Sequence, residues 1–261
     1  MVTTGPNVAI EQHGPPILLY SLVIPLHNEE DSVPILISEI IEATRTLSEP
    51  CEVLLVNDAS TENPLAVATT AAEPHRYMRV LSHAKRRGQP GCYLTALRNS
   101  SGKYFLRMDG DLQDDPSDIP QFIKCMTENA DLIMGIRSFR KNATVMRLVS
   151  MTFDLFTAIT FNSPLHTNTS SFLAIKTQFL IDIPLLANDH RYLPLIAMYR
   201  GAKNLREIVV ANRPRQFGKS KYTDIKKVLL GIPEVIFFTL RLKTRFYGIP
   251  NNDNRRIPEK S

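Results

Sequence analysis

Over the first 140 residues, short apolar runs alternate with helical patterns. "LLYSLVIP" (Leu18–Pro25) reads as a buried strand that ends at Pro25. From Glu29 to Leu47, apolar residues recur at Val33, Leu36, Ile37, Ile40, Ile41 and Leu47, the stripe of an amphipathic helix. Asn28 stands at the N-cap position, and Glu29, Glu30 and Asp31 suit the positive end of that helix. "EVLLVND" (Glu52–Asp58) is a second strand and "MRVLS" (Met78–Ser82) a third. "CYLTALRNS" is a helix leading to Gly102, and "KYFLRMD" a fourth strand. After another helix, "DLIMGIR" (Asp131–Arg137) is a fifth. Alternation of this kind, with continuously apolar strands, predicts an α/β fold with a mostly parallel central sheet flanked by helices.

The pattern changes beyond Ile136. "TVMRLVSMTFDLFTAITF" predicts a helix rich in apolar residues, "SSFLAIK" and "LREIVVANRP" predict strands, and "RQFGKSKY" a loop. The closing "DIKKVLLGIPEVIFFTLRLKTRFYGIP" is apolar and basic, and helical on both sides of Pro233. Its apolar residues either pack back on the domain or lie on a membrane surface, with Lys226, Lys227, Arg241, Lys243 and Arg245 toward anionic lipid. The second reading is preferred. Residues 1–16 read as an N-terminal extension, 17–222 as one α/β domain and 223–261 as a basic amphipathic helical tail.

Four polar clusters follow strand ends: "HNEED", "NDASTEN", "SHAKRRGQPG" and "DGDLQDD". In open α/β sheets, ligands bind outside the carboxyl ends of the strands, so the four clusters together predict a binding crevice there.

Composition narrows the class. Hydrophobic content of 43% and charged content of 22% belong to a globular chain. No apolar run approaches the roughly 18 residues of a membrane span, and residues 1–16 show no signal peptide. Cys51, Cys92 and Cys125 are scattered and read as free thiols of a reducing compartment. The expectation is a cytoplasmic protein, peripheral on the cytoplasmic face of a membrane. Net charge is +5, yet the last 61 residues carry 14 Lys and Arg against 5 Asp and Glu. That end could meet anionic lipid, a phosphorylated substrate or nucleic acid. No nucleic-acid motif or aromatic platform accompanies it, so no nucleic-acid partner is expected. A homo-oligomer is compatible with the sequence.

Five aspartates fall within "DGDLQDDPSD": Asp109, Asp111, Asp114, Asp115 and Asp118. Asp109 and Asp111, two apart at a strand end, can point to one side. Such oxygens suit Mg²⁺ or Mn²⁺, and Gln113 can add a neutral one. Gly110 removes a side chain where a ligand approaches closely. The plainer alternative for an isolated D-x-D is an Asp-rich turn. Here Asp109, Asp111 and Gln113 are read as the cation site, and Asp114, Asp115 and Asp118 as a solvated turn and helix start. Arg137, Arg147, Ser150, Arg213, Arg215, Lys219 and Lys221 supply basic and polar groups of the kind a diphosphate leaving group needs. "GKS" at Gly218–Ser220 is not a P-loop, because Arg213 holds the place of its first glycine. No G-x-S-x-G, H-E-x-x-H or dinucleotide G-x-G-x-x-G is present.

"SLVIPLHNEE", "VNDAST", "MDGDLQDDP" and "RQFGKSKY" occur in the order found in family-two glycosyltransferases. Over roughly residues 18–225 the chain resembles the polyprenyl-phosphate sugar transferases of the dolichol-phosphate mannose synthase type. The resemblance implies a GT-A fold and an inverting, metal-dependent hexosyltransferase. It implies a UDP- or GDP-linked sugar donor and a polyprenyl or dolichyl phosphate acceptor. Carried over by position, Pro25, His27, Glu29, Asp58 and Gly110 hold the nucleotide. Asp109, Asp111 and Gln113 hold Mg²⁺ or Mn²⁺ and the diphosphate. Arg137, Arg147, Ser150, Arg215, Lys219, Ser220 and Lys221 face the phosphates of donor or acceptor. His27 stands where the family has an aromatic residue, Ala59 where a glycine is common, Thr167 where many relatives have Asp, and Asn212 where some have His.

A lipid phosphate is already anionic and needs no general base. Two alternatives differ in class. One is a soluble glycosyltransferase acting on a hydroxyl of a sugar, peptide or small molecule, with Asp189 as candidate base. The other is an inactive nucleotide-sugar-binding protein, against which the retention of both Asp109 and Asp111 weighs.

Overall fold

The computed structural model describes residues 18–29, 31–61, 64–137, 169–214 and 225–248. The strands are β1 (Tyr20–Leu26), β2 (Cys51–Asn57), β3 (Met78–Ser82), β4 (Tyr104–Arg107), β5 (Leu132–Arg137), β6 (Thr169–Lys176) and β7 (Leu205–Val210). They form one sheet in the order β3-β2-β1-β4-β6-β5-β7. Every pairing is parallel except those of β6, which runs antiparallel to both β4 and β5.

Strand periodicity divides the core into two layers. On one face, Leu22, Ile24 and Leu26 of β1 meet Val33, Leu36, Ile37 and Ile40 of α1 (Val33–Thr44) and Phe122, Ile123 and Met126 of α4 (Ile119–Thr127). Met78 of β3 and Ala72 of α2 (Pro64–Ala72) extend this layer. On the other face, Val23, Leu54, Val56 and Phe105 meet Tyr93 and Ala96 of α3 (Gly88–Asn99). Ile196 of α5 (Leu193–Tyr199) and Phe238 of α6 (Ile225–Lys243) complete that side. Helices on both sides of mostly parallel strands explain why β1 and β2 read as unbroken apolar runs.

Three local expectations change. The first helix starts at Val33, not at Glu29. Asn28 is left-handed (φ 56°), and its side-chain oxygen accepts the Thr61 amide (3.0 Å). It therefore staples the ends of β1 and β2 instead of capping a helix. Ser32 takes the cap position, and Pro34, with its pre-set φ, follows within the first two helical positions. In the tail, α6 continues through Pro233 as one helix. The reversed direction of β6 was not legible, because an apolar run reports burial and not polarity.

The predicted helix at 144–161 and the loop "RQFGKSKY" lie outside the described residues.

Candidate active site

Because β1, β2 and β4 are adjacent and parallel, Leu26, Asn57 and Arg107 end at the same edge of the sheet. β5 and β7 bring Arg137 and Val210 to that edge too, while β6 contributes its beginning. All four polar clusters thus share one rim with Ser170 and Ser171.

The first part of the rim joins β1 to β2. His27 Nδ1 donates to the Asp58 carbonyl (3.1 Å), and the Asp58 amide donates to the Leu26 carbonyl (2.9 Å). A Cβ on Gly110 would lie 2.7 Å from Leu26 Cδ2 and 3.2 Å from the Pro25 carbonyl oxygen. The absent side chain therefore lets the acidic loop lie against the Pro25–Leu26 backbone. Ser32 Oγ fixes that loop from the other side, donating to the Gly110 carbonyl (2.9 Å).

Asp58 is 3% exposed and heavily bonded. Its Oδ1 accepts His83 Nδ1 (2.8 Å) and the Arg87 amide (2.7 Å), and its Oδ2 the Gly88 amide (2.7 Å). Burial alone would raise this carboxyl, but the bonds from His83 and the two amides hold it below the ordinary aspartate value. His83 Nε2 pairs with Thr95 Oγ1 (2.8 Å). Ligand atoms of Asp58, His83 and Cys92 lie within 4.8 Å of one another, the kind of set that could hold a metal. These bonds occupy Asp58 and both His83 nitrogens, and burial pushes the Cys92 thiol up to about 12. The cluster is a polar knot that shapes the 83–88 loop. From that loop's end, Gln89 Nε2 donates to Asp109 Oδ1 (3.2 Å).

The Asp109 carboxyl is strongly perturbed. Burial first, then the neighbouring Asp114, pushes it from 3.8 to about 6, Asp111 adding to the rise and Arg107 opposing it. Asp111 Oδ1 accepts the Gln113 amide (3.2 Å), closing a tight turn around Leu112, which is left-handed (φ 61°) and buried. Oxygen donors crowded to the point of raising a carboxyl fit a hard divalent cation, which would relieve the repulsion. Asp109 and Asp111, with Gln113 next in the turn, are the candidates to hold it.

The outer acids are not a solvated turn, which corrects the sequence reading. Asp114 is 1% exposed and Asp118 is 6% exposed. Asp114 accepts Ser170 Oγ and Ser171 Oγ, both at 2.5 Å, and the Asp109 amide. Asp118 Oδ2 accepts the Ala211 amide (2.8 Å). Asp115 accepts Arg213 Nε (2.9 Å), and Arg213 Nη1 donates to both oxygens of Glu39 on α1 (2.7 and 2.8 Å). The Arg213 amide also donates to the Gln113 carbonyl (3.0 Å). Arg213, read from sequence as one of the basic groups near a diphosphate, is engaged in this clamp.

Arg137 reaches the same place, its Nη2 lying 3.9 Å from Asp114 Oδ1. Among the described residues its buried Nε has no partner. Asp189 does not join the group. It is fully buried, its Oδ2 accepts the Leu186 amide (2.8 Å) and its Oδ1 takes Arg241 of α6 (2.5 Å). Both oxygens are engaged, so the carboxylate is not placed to take an acceptor proton. Arg147, Ser150, Thr167, Arg215, Lys219, Ser220 and Lys221 lie outside the described residues.

Gln89, His83, Ser170 and Ser171 were not singled out from sequence, and Asp114 was named there only as part of a solvated turn. Of the first four, only Gln89 and His83 left a signal, since both fall in the "SHAKRRGQPG" cluster.

A mostly parallel α/β sheet with these groups along its carboxyl edge is the GT-A nucleotide-sugar-binding fold that the resemblance implied. The family described as glycosyl transferase family 2 matches residues 21–184, and the chain belongs to it. It is 28% identical over 216 residues to an undecaprenyl-phosphate 4-deoxy-4-formamido-L-arabinose transferase of Yersinia enterocolitica, covering 80% of this chain and 64% of the relative. The enzyme of that name from Serratia proteamaculans is 29% identical over 223 residues, covering 82% and 66%. The chain thus spans just under two thirds of the length of these relatives. In fold it is similar to glucosyl-3-phosphoglycerate synthase from Mycobacterium tuberculosis, solved with Mn²⁺, UDP and phosphoglyceric acid. That match has a TM-score of 0.62 at 19% identity and covers 90% of this chain and 80% of the other.

Proposed function

We propose that this chain transfers a sugar from a nucleoside-diphosphate donor to a polyprenyl phosphate, with inversion at the anomeric carbon. The observation that carries the reading is the convergence of Pro25, His27, Asp58, Gln89 and the Asp109–Gln113 turn on one sheet edge. The names of the relatives, which act on undecaprenyl phosphate, support the acceptor class.

In this reading the Pro25–His27 and Asp58 segments cradle base and ribose, with Glu29 beside them. The acidic turn holds the diphosphate end through Mg²⁺ or Mn²⁺, which when bound neutralises charge on the departing nucleoside diphosphate. Gln89 and Ser32 fix the turn, so its oxygens are placed before the donor arrives. Arg137, whose Nε has no partner among the described residues, is assigned to phosphate oxygens of donor or acceptor, together with Arg147, Ser150, Arg215, Lys219, Ser220 and Lys221. The acceptor phosphate attacks as an anion, so no residue has to remove a proton. That agrees with Asp189 being fully engaged elsewhere.

The test is a thermal-shift series with UDP, GDP and their sugars, with and without Mn²⁺, on wild type and Asp111→Ala. It is followed by transfer of labelled sugar into solvent-extractable polyprenyl phosphate. A metal-dependent rise with one nucleotide, lost in the variant, together with label in the lipid, supports the reading. A shift without lipid labelling would move the acceptor to a soluble hydroxyl compound. Absence of any shift at millimolar ligand overturns the donor site.

A further inference from the structure

Among the described residues, large exposed apolar side chains concentrate on one element. Ile236, Phe237 and Leu240 of α6 are 53%, 61% and 50% exposed, and Phe246, just beyond the helix, is 38% exposed. The opposite face of α6 is packed: Val235 and Phe238 are buried, and Phe238 stacks on Tyr192 at 4.2 Å. Ile236 and Leu240, four apart, share one side, and Phe237 widens it. From Val235 to Leu240 the helix therefore has two apolar faces, one seated on the domain and one exposed.

The charges around the bare face are cationic. Lys243 and Arg245 are exposed where the stripe ends. The acid at its other end, Glu234, is occupied by Asn188 and by Arg191 (3.7 Å). Arg241 is not part of this rim, although its sequence position suggested it. It turns inward to Asp189 and to the Tyr247 hydroxyl (2.9 Å). An apolar strip with a basic end fits an anionic lipid surface.

The inner face adds a reason for lipid. Through Arg241, Glu234 and Phe238, α6 grips the short turn Asp189–Tyr192. The His190 carbonyl of that turn accepts Arg107 Nη1 (2.5 Å), two residues before Asp109 in the chain. The bare face is thus mounted on the element that also borders the acidic turn, which is where a lipid-borne phosphate must be delivered.

We infer that the outer face of α6, formed by Ile236, Phe237 and Leu240 with Phe246, Lys243 and Arg245, seats on anionic lipid and carries the site to the membrane surface. The inference rests on the proposed lipid acceptor for its purpose, yet it is testable without any transfer reaction. The full chain is floated with vesicles of phosphatidylcholine, alone or mixed with phosphatidylglycerol. The comparison is between wild type and the double variant Phe237→Ser, Leu240→Ser, whose changes point outward. Wild type should bind the mixed vesicles, and the double variant should lose about tenfold or more in partitioning. Its thermal shift with nucleotide and Mn²⁺ should be unchanged.

Equal flotation of both proteins, or no flotation of wild type on mixed vesicles, overturns the inference. So does light scattering that finds a dimer in wild type and a monomer in the variant, because the face would then join two copies of this chain. Flotation of wild type without sugar transfer to lipid leaves the docking surface standing and removes the acceptor reading.

Discussion

The main-chain amide of Asp109 donates to the carboxylate of Asp114, 3.3 Å away, so one acid of the stretch braces another. Asp114 also collects the hydroxyls of Ser170 and Ser171 from the start of β6. It ties the acidic turn to a strand that is distant in sequence and adjacent in space.

Replacing Asp114 by Ala leaves three donors without their acceptor in a buried place. The expected loss is about 2–4 kcal/mol, read from chemical denaturation. Asp114→Asn keeps one oxygen and should lose less. It should also lower the pH at which Asp109 ionises, since the Asp114 charge is one cause of the raised value. Unchanged stability in Asp114→Ala would remove Asp114 from its bracing role.

Asp109 predicts a pH dependence. Its folded value near 6 lies above the ordinary 3.8, so the proton is bound more tightly in the folded chain. Metal competes with that proton, and affinity for Mn²⁺ in the presence of nucleotide should fall as pH drops through about 6. Without metal, the sign for stability is opposite to that of a salt-bridged acid. The contribution is fully present below the unfolded value and lost as pH rises through about 6. Asp109→Asn should therefore stabilise the metal-free protein at pH 8, by about 1–3 kcal/mol, and abolish the Mn²⁺-dependent thermal shift. Melting curves at pH 5 and pH 8 measure both.

Arg213 joins Asp115 in the acidic loop to Glu39 on α1. These groups are partly exposed, so Arg213→Met should lower stability by only about 1–2 kcal/mol. The informative readout is the apparent Mn²⁺ affinity, which should weaken severalfold because the turn loses its outer anchor. Arg213→Lys retains charge without the planar fork and should recover stability better than metal affinity. Equal metal affinity in all three proteins would reduce the clamp to a plain surface contact.

Asp189 is fully buried against Arg241. Arg241→Met leaves that carboxylate uncompensated and should cost about 3 kcal/mol. Adding Asp189→Asn should return a good part of the loss, a coupling that a double-mutant cycle reads directly. Strictly additive effects of the two substitutions would deny the pairing. Substantial transfer activity in Asp189→Asn alone is the expected result for an acceptor that needs no base.

The sequence by itself determined the strands, the helices α1, α3, α4 and α6, and the placing of polar clusters after β1, β2, β3 and β4. Those are properties of neighbours along the chain: a strand buried on both faces must be continuously apolar, and the loop after it is exposed at its carboxyl end. It also placed Asp109, Asp111 and Gln113 together, since two-residue spacing suffices for that.

Only the tertiary structure decided which acids are buried and what each one holds. Asp114 meets Ser170, 56 residues on, because β6 enters the sheet antiparallel beside β4. Asp189 meets Arg241, 52 residues on, because α6 folds its inner face onto the domain. Composition could not tell these carboxylates from solvated ones, since a charge becomes tolerable in the interior only through partners from elsewhere in the chain. The same packing divided the tail, turning Arg241 inward and leaving Phe237 and Leu240 bare. A helical repeat marks which residues share a side, and the surface they meet is chosen when the elements assemble.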